Sequence, residues 1–233
     1  MNLNVFKSAM LGVSMSCLAS FAYAESKAVG GVSLGATRVI YPMNAKQASL
    51  SIINHSKKDR YLINAWVETP AGEKTKSFLV TPPLFVAEPA AENTFRIVSL
   101  ATNLPQDRES VFWLNVKSIP SVDKKILEEK NLLQLAVLSR IKLFVRPEKL
   151  KTTPEDALEK VKFLKTANGI EADNQSPYYI SFVNVTVNGT KLGSVMAAPF
   201  EKTIISKVSG NKVSYQTVND YGGVTPVAEA TLN

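Results

Sequence analysis

Residues 104–120 read LPQDRESVFWLNVKSIP, and the part SVFWLNV sets the fold class. Aromatic and β-branched residues are frequent there, and the apolar side chains Phe112, Leu114 and Val116 recur at every second position. A period of two places alternate side chains on opposite faces of an extended chain. The segment therefore predicts a β-strand with one buried face.

Patterns of the same kind extend in both directions. Upstream they occupy residues 32–36, 50–53, 61–68 and 95–99, and downstream the longest run, LLQLAVLSRIKLFV, occupies residues 132–145. Pro, Asn and Gly interrupt the runs. Turns recur about every 8–12 residues, which is typical of β-sandwiches. The sequence predicts an all-β chain.

A change of pattern near Pro147 divides the chain. The segment after it, residues 148–163, is more polar and predicts a short helical turn, and a second set of β patterns begins near Val161. Two small sandwiches of about 120 and about 85 residues fit these lengths better than one large sandwich. We therefore expect two domains, residues 25–147 and residues 148–233.

Turn signals in the second part predict two hairpins. Asn188-Gly189 lies between alternating strands, and this dipeptide favours the type I′ turn, in which both central residues have positive φ. A further hairpin is expected around Gly210-Asn211, where a second alternating segment is interrupted.

The first 24 residues have the features of a cleavable export signal. A lysine at position 7 precedes an apolar stretch over residues 9–18, and Ala22-Tyr23-Ala24 fits the rule for cleavage after residue 24. A membrane anchor is the alternative, but the stretch is too short to cross about 30 Å of hydrocarbon. We expect residues 1–24 to be removed from an exported protein that does not insert in a membrane.

Composition excludes several kinds of site. The 233 residues include one cysteine, Cys17, within the predicted signal, and one histidine, His55. A disulfide scaffold needs cysteine pairs, and zinc sites draw mainly on Cys and His. The net charge of +7 comes largely from scattered lysines, which together with export argues against nucleic-acid binding. We assign no metal site.

Motifs of catalysis are missing from the sequence. His55 lies in a predicted turn, INHSKKDR, and no G-x-S-x-G, H-E-x-x-H or P-loop motif is present. A hydrolytic triad needs a positioned base, so an exposed turn histidine is the better interpretation. Two carboxylates facing one cleft would still allow a glycosidase, because such residues can lie far apart in the chain. We assign no catalytic residue and expect no enzyme.

Four segments in a fixed order resemble one protein family. Residues 35–42, GATRVIYP, are similar to its first strand, residues 104–120 to its signature, residues 132–147, LLQLAVLSRIKLFVRP, to its long G1 strand, and residues 218–223, VNDYGG, to a motif of its second domain. The family is that of the PapD-like periplasmic chaperones of the chaperone–usher pilus pathway. The short loop before G1 is most similar to that of type 1 fimbrial chaperones.

The resemblance implies two immunoglobulin-like β-sandwich domains set at an angle, with a cleft between them. It implies a periplasmic protein that binds pilus or fimbrial subunits, which are sandwiches lacking one strand. Such a chaperone lends its G1 strand, caps the subunit and delivers it to an outer-membrane usher, without ATP or another cofactor. An added strand satisfies the subunit's backbone and fills its apolar pockets.

The resemblance also assigns roles to residues of the G1-like strand. Leu133, Leu135 and Val137 lie at a period of two, as a donor strand requires. The alternative is that these side chains face the protein's own core, and spacing alone does not decide between the two.

Two groups of charged residues match functional positions of the family. Arg38 and Lys142 correspond to two cations that anchor the subunit's C-terminal carboxylate in the cleft. Glu109, Arg146 and Asp220 correspond to an interdomain salt bridge that orients the domains. From spacing alone, ordinary surface charges are the better interpretation of Arg38 and Lys142, and the alternative for the other three is exposed charges that contribute little each.

Three further expectations concern a proline bond, self-association and the class of protein. Thr81-Pro82 resembles a family turn that can hold a cis peptide bond, and the sequence leaves its isomer open. An apolar edge strand also allows self-capping as a homodimer. The alternative to a chaperone is a secreted β-sandwich fibre subunit or adhesin.

Overall fold

The structure is a computed structural model that describes residues 31–122, 133–207 and 210–232, so the predicted signal over residues 1–24 lies outside it. The first strands are β1 (Val32–Leu34), β2 (Arg38–Pro42), β3 (Ala48–Asn54), β4 (Tyr61–Glu68), β5 (Phe78–Thr81), β6 (Leu84–Ala87), β7 (Glu92–Ser99), β8 (Ser110–Pro120) and β9 (Val137–Arg146). After a short 3-10 helix (Asp156–Lys160) come β10 (Val161–Thr166), β11 (Gly169–Asn174), β12 (Ile180–Val187), β13 (Thr190–Lys191), β14 (Val195–Ala197), β15 (Lys202–Ser206), β16 (Val213–Thr217) and β17 (Ala228–Ala230). In these residues no helix is long and apolar enough to cross a membrane.

The first nine strands form a sandwich of two sheets. One sheet has the order β1-β3-β7-β5 and the other the order β2-β9-β8-β4-β6. Strand β2 runs parallel to β9, whereas the other neighbours are antiparallel. The alternating apolar side chains meet between the sheets, where Ile63, Phe95, Ile97, Leu114 and Leu143 are fully buried. This arrangement produces one hydrophobic core.

The remaining strands form a second sandwich with its own core. Its sheets have the orders β10-β11-β15 and β13-β12-β16-β17, and β14 also pairs with β12. Phe163, Phe182 and Tyr215 pack at its centre with ring centroids 5.0 to 5.8 Å apart. The all-β class and the short helical turn before Val161 are thereby confirmed. The domain bounds at residue 147 stay a prediction.

Three turns can be compared with their predictions. Asn188 and Gly189 have φ of 48° and 82° between β12 and β13, so the type I′ hairpin is confirmed. The hairpin around Gly210-Asn211 is wrong, because β15 pairs with β11 and β16 with β12, in different sheets. Strands β15 and β16 both bury one face in the core of the second sandwich. Their sequence pattern therefore does not show whether they are neighbours in one sheet or lie in opposite sheets. The Thr81–Pro82 bond is cis.

Strand β9 begins later than the sequence predicts. The apolar run predicts a strand from residue 132, which lies outside the described residues, whereas β9 starts at Val137. Its ladder with β8 ends at the pair Ser118–Val137. Beyond it, the side-chain amide of Gln134 donates to the carbonyl of Pro120 over 2.7 Å. Without a neighbouring strand, period-two alternation alone does not produce a strand.

Candidate functional site

The two faces of β9 contact different parts of the molecule. Leu143 is fully buried in the first core. Lys142, Phe144 and Arg146 alternate with the core-facing positions and lie on the opposite face. There, the Phe144 ring is 5.8 Å from the ring of Tyr179 in the second sandwich. One strand therefore closes the first core and forms a wall between the two sandwiches.

A cleft of about 350 Å³ lies between the two sandwiches. Arg38 and Phe144 line it from the first sandwich, and Ser181, Val218 and Tyr221 line it from the second. The rest of the lining is mostly apolar or neutral, apart from four charged residues, Glu109, Arg146, Glu155 and Asp220. Because Arg146 pairs with Glu109 and Asp220, Arg38 is the lining cation that has no ion pair among the described residues. Such a combination suits a ligand that is apolar and carries a negative charge at one end.

Arg38 and Lys142 are neighbours across the parallel pair of β2 and β9. The Arg38 guanidinium donates to the carbonyl of Val218 over 3.0 Å, and the Lys142 ammonium donates to the Ser181 hydroxyl over 2.8 Å. The Nε of Arg38 is buried without a hydrogen-bond partner among the described residues. Neither cation forms an ion pair in the part of the chain that the structure describes. The two therefore form a positive site able to bind an anion.

Burial disfavours the charged form of both cations. Burial, with a smaller contribution from the adjacent Arg38, lowers the pKa of Lys142 to about 8. Burial also lowers the pKa of Arg38, against the opposing effect of the carboxylates Asp220 and Glu109. A negative charge at close range favours the ionised form of a cation. The electrostatics of this site therefore favour an anionic ligand.

The structure brings Glu109, Arg146 and Asp220 together. Arg146 donates to the two carboxylate oxygens of Asp220 over 2.6 and 2.8 Å and to Glu109 over 2.7 Å. Glu109, whose side chain is 2% exposed, also accepts the backbone N–H of Tyr179 over 2.8 Å. Burial alone would lower the pKa of Arg146, but the interactions with Asp220 and Glu109 outweigh burial and raise it. Burial raises the pKa of Glu109, and the positive charge of Arg146 opposes that shift. One guanidinium fork thus joins both sandwiches; its role in orienting them stays a prediction.

The predicted donor residues are highly exposed. Leu133, Leu135 and Val137 are 81%, 67% and 61% exposed. Val137 lies on the same face of β9 as the buried Leu143 but beyond the end of the core. These exposures exclude the alternative that the three side chains face the protein's own core. Their donation to another protein stays a prediction.

The sequence analysis missed the groups of the second sandwich that contact this site. Ser181 holds the Lys142 ammonium, Val218 accepts from Arg38, and Tyr179 packs on Phe144. Ser181 lies within the ordinary strand pattern of β12, so no sequence signal distinguishes it. Val218 lies in the VNDYGG segment, which resembles a motif of the family, but the resemblance assigned a role only to Asp220.

The other polar groups do not form a second centre. The Nε2 of His55 is 2.7 Å from the hydroxyl of Ser33, in an exposed position. Over residues 31–122, 133–207 and 210–232, no three His, Cys, Asp or Glu side chains are grouped to hold a metal ion. The cleft instead gathers two cations and an interdomain ion pair.

Protein-family models match both parts of the chain. Residues 31–151 match the family described as pili and flagellar-assembly chaperone, PapD N-terminal domain. Residues 156–228 match the family described as pili assembly chaperone PapD, C-terminal domain. The two matches together span most of the chain.

Similar proteins are fimbrial and periplasmic chaperones. The probable fimbrial chaperone SfmC of Escherichia coli strain K12 is 51% identical over 212 residues, which are 90% of this chain and 92% of that protein. The crystal structure of the periplasmic chaperone SfaE is 39% identical with a TM-score of 0.77, over 86% of this chain and 100% of that one. A structure of the Salmonella enterica SafA pilin in complex with the SafB chaperone matches with 30% identity and a TM-score of 0.77, over 87% of this chain and 96% of the matched chain. These matches confirm two immunoglobulin-like sandwiches with a cleft between them.

Proposed function

The chain belongs to the PapD family of pilus-assembly chaperones, and we propose that it stabilises and caps pilus or fimbrial subunits in the periplasm by donor-strand complementation. It then delivers them to an outer-membrane usher. Its substrate is a β-sandwich that lacks one strand and exposes an apolar groove. Such a groove is an aggregation hazard, which a lent strand removes. The function is binding without turnover.

One observation carries this proposal: the start of β9 is apolar, exposed and unpaired on one edge. Strand β2 pairs with β9 only from Lys142 onwards, so among the described residues nothing pairs with that edge before it. Val137 at the start of β9, and Leu133 and Leu135 just before it, offer three exposed apolar side chains. At about 1.5–3 kcal/mol each, their burial in a groove would contribute on the order of 5–9 kcal/mol before ordering costs.

Arg38 and Lys142 bind the subunit's C-terminal carboxylate in this mechanism. A strand added to the free edge of β9 has to end where β2 begins, and Arg38 is the first residue of β2. Charge-assisted hydrogen bonds to a carboxylate contribute about 1.5–3 kcal/mol each. Because a chain has only one C-terminus, this anchor fixes the register of the added strand.

The remaining parts of the proposal concern orientation and self-association. The ion pairs of Arg146 with Glu109 and Asp220 keep the two sandwiches at the angle that forms the cleft. In the absence of a subunit, the apolar edge of β9 pairs with a second copy and gives a self-capped homodimer. The alternative of a fibre subunit or adhesin is not favoured, because the relatives matched over most of the chain are chaperones.

The test is a periplasmic pull-down of the tagged protein expressed with its neighbouring secreted genes. We expect a stoichiometric β-rich subunit to copurify with the wild type and to be lost from folded Lys142→Ala and Arg38→Ala. Lys162→Ala changes an exposed lysine of β10 and should retain the subunit. Copurification with Lys142→Ala at the wild-type level would refute the anchor, and mass spectrometry identifies the partner.

A further inference from the structure

The turn that follows β16, residues 218–223, is held rigidly by its own hydrogen bonds. The side-chain oxygen of Asn219 accepts from the backbone N–H groups of Tyr221 and Gly223, over 3.1 and 2.8 Å. The backbone N–H of Asn219 donates to the carbonyl of Gly223 over 2.9 Å, and that of Gly222 donates to the carbonyl of Asn219 over 3.0 Å. Four hydrogen bonds therefore fix a six-residue turn.

Contacts with the first sandwich place this turn beside the two cations. Asp220 binds Arg146, and the carbonyl of Val218 accepts from Arg38. Gly222 has a φ of 83°, and a Cβ at that position would collide with the hydroxyl of Thr37. The turn is thus packed against the residue that precedes Arg38, at the mouth of the cleft.

The side chain of Tyr221 takes no part in these contacts. Its side chain is 94% exposed, more than any other large apolar side chain in the described residues. It makes no hydrogen bond or ring contact within the described part of the chain. By contrast, Tyr41, Tyr178 and Tyr215 are at most 7% exposed. Tyr221 nevertheless belongs to the lining of the same cleft as Arg38.

We propose that the Tyr221 ring packs on the apolar side chain of the subunit's last residue, and this inference rests on the proposed function. A carboxylate bound to Arg38 lies beside the turn, because Arg38 also donates to the carbonyl of Val218. The side chain next to that carboxylate is then within reach of the ring. The turn fixes the backbone of Tyr221, and a tyrosine side chain has only two torsion angles to restrict, so little conformational entropy is lost when its ring is buried at an interface.

Two further apolar side chains close to Tyr221 in the sequence are also exposed. Val224 and Val227 follow the turn and are 53% and 67% exposed. In this arrangement Arg38 and Lys142 bind the C-terminal carboxylate of every subunit, whereas the Tyr221 ring distinguishes subunits by the side chain of their last residue. Tyr221 is therefore a specificity-determining residue of the proposed site.

A double-mutant cycle tests this inference. The mature wild type, Tyr221→Ala and Tyr221→Phe are titrated with the subunit from the pull-down, prepared in versions ending in Tyr, Leu or Ala. We expect the wild type to bind the Tyr and Leu versions about tenfold more tightly than the Ala version. Tyr221→Ala should reduce this preference to less than about twofold, whereas Tyr221→Phe should keep it, because the ring is retained.

Control variants separate this inference from the proposed function. Ile204→Ala removes a side chain that is 45% exposed and does not line the cleft, and it should keep the preference. If Tyr221→Ala keeps the preference for the Tyr and Leu versions, the role of Tyr221 is overturned. The same holds if the wild type shows no preference while its binding still depends on Lys142. Neither result affects the proposed function. Binding of all three versions to Lys142→Ala at the wild-type level overturns the carboxylate anchor and the inference with it.

Discussion

The segment over residues 133–146, which consists of β9 and the four residues before it, has the same sequence pattern at its two ends but opposite surroundings. At one end Leu143 is fully buried, and at the other Leu133 and Leu135 are 81% and 67% exposed. Val137, on the same face of the strand as Leu143, is 61% exposed. Strands β2 and β8 flank the buried end, and neither ladder continues before Val137. A period of two therefore tells which side chains share a face, while the neighbouring strands decide what covers that face.

The largest effect is expected at the buried end. Leu143→Ala removes a fully buried side chain and leaves a cavity, so the free energy of unfolding should fall by about 2–5 kcal/mol. Leu135→Ala, the same change at the exposed end, should alter it by less than about 0.5 kcal/mol. Urea unfolding followed by the fluorescence of Trp66 and Trp113, both in the first sandwich, measures the difference. Equal losses would mean that the exposed end belongs to the protein's own core.

For subunit binding, we expect a large effect at the exposed end, where the effect on stability is small. Leu135→Ala removes an apolar group that the proposed mechanism places in the subunit's groove. Affinity should therefore fall by about ten- to a hundredfold, which corresponds to about 1.5–3 kcal/mol. Leu100→Ala, at a residue that is 58% exposed and outside any strand, should bind the subunit as the wild type does. Binding is measured by surface plasmon resonance. If Leu135→Ala binds as tightly as the wild type, the exposed end does not insert Leu135 into the subunit's groove.

Sequence pattern was sufficient where the chain covers its own apolar face. The alternation around Ile63, Phe95 and Leu114 predicted strands whose apolar side is buried, because that pattern is local. For the strands before and after Gly210-Asn211, the same pattern did not show whether they pair in one sheet or lie in opposite sheets, because both arrangements bury the same side chains.

Less of the candidate site could be predicted from the sequence pattern. Resemblance to the family supplied Arg38 and Lys142, which by spacing alone are ordinary strand charges. Their hydrogen-bond partners Ser181 and Val218 could not be predicted. These contacts depend on how the two sandwiches face each other, and no local periodicity encodes that arrangement.

A smaller effect is expected at Arg146, where the buried end of β9 meets the second sandwich. Asp220→Asn keeps the shape of the partner and removes its charge. Because both side chains are partly exposed, at 19% and 31%, the contact should weaken by about 1–2 kcal/mol. Small-angle scattering should show a broader distance distribution with both sandwiches folded. Glu229→Gln, in the exposed pair with Lys212, is the control, and an unchanged profile for Asp220→Asn would argue against an orienting role.

The smallest effect is a pH dependence at Lys142, between the two ends of β9. Burial lowers the pKa of Lys142 to about 8, so the free protein loses this charge as the pH rises through that value. A bound carboxylate raises the pKa again, and binding above pH 8 therefore takes up a proton. Affinity for the subunit should be constant below about pH 7 and fall about tenfold between pH 7.5 and 9.

The matched variant for this effect is Lys142→Arg, because a guanidinium stays charged throughout that range. Its affinity should not change between pH 7 and 9. Calorimetry in two buffers of different ionisation enthalpy should detect almost no proton uptake by the wild type at pH 7 and nearly one proton per complex at pH 9. Constant wild-type affinity without proton uptake at pH 9 would mean that no carboxylate binds at Lys142. The exposed residues before and at the start of β9 would then have to hold the subunit alone, and nothing in the cleft would fix the register of the added strand.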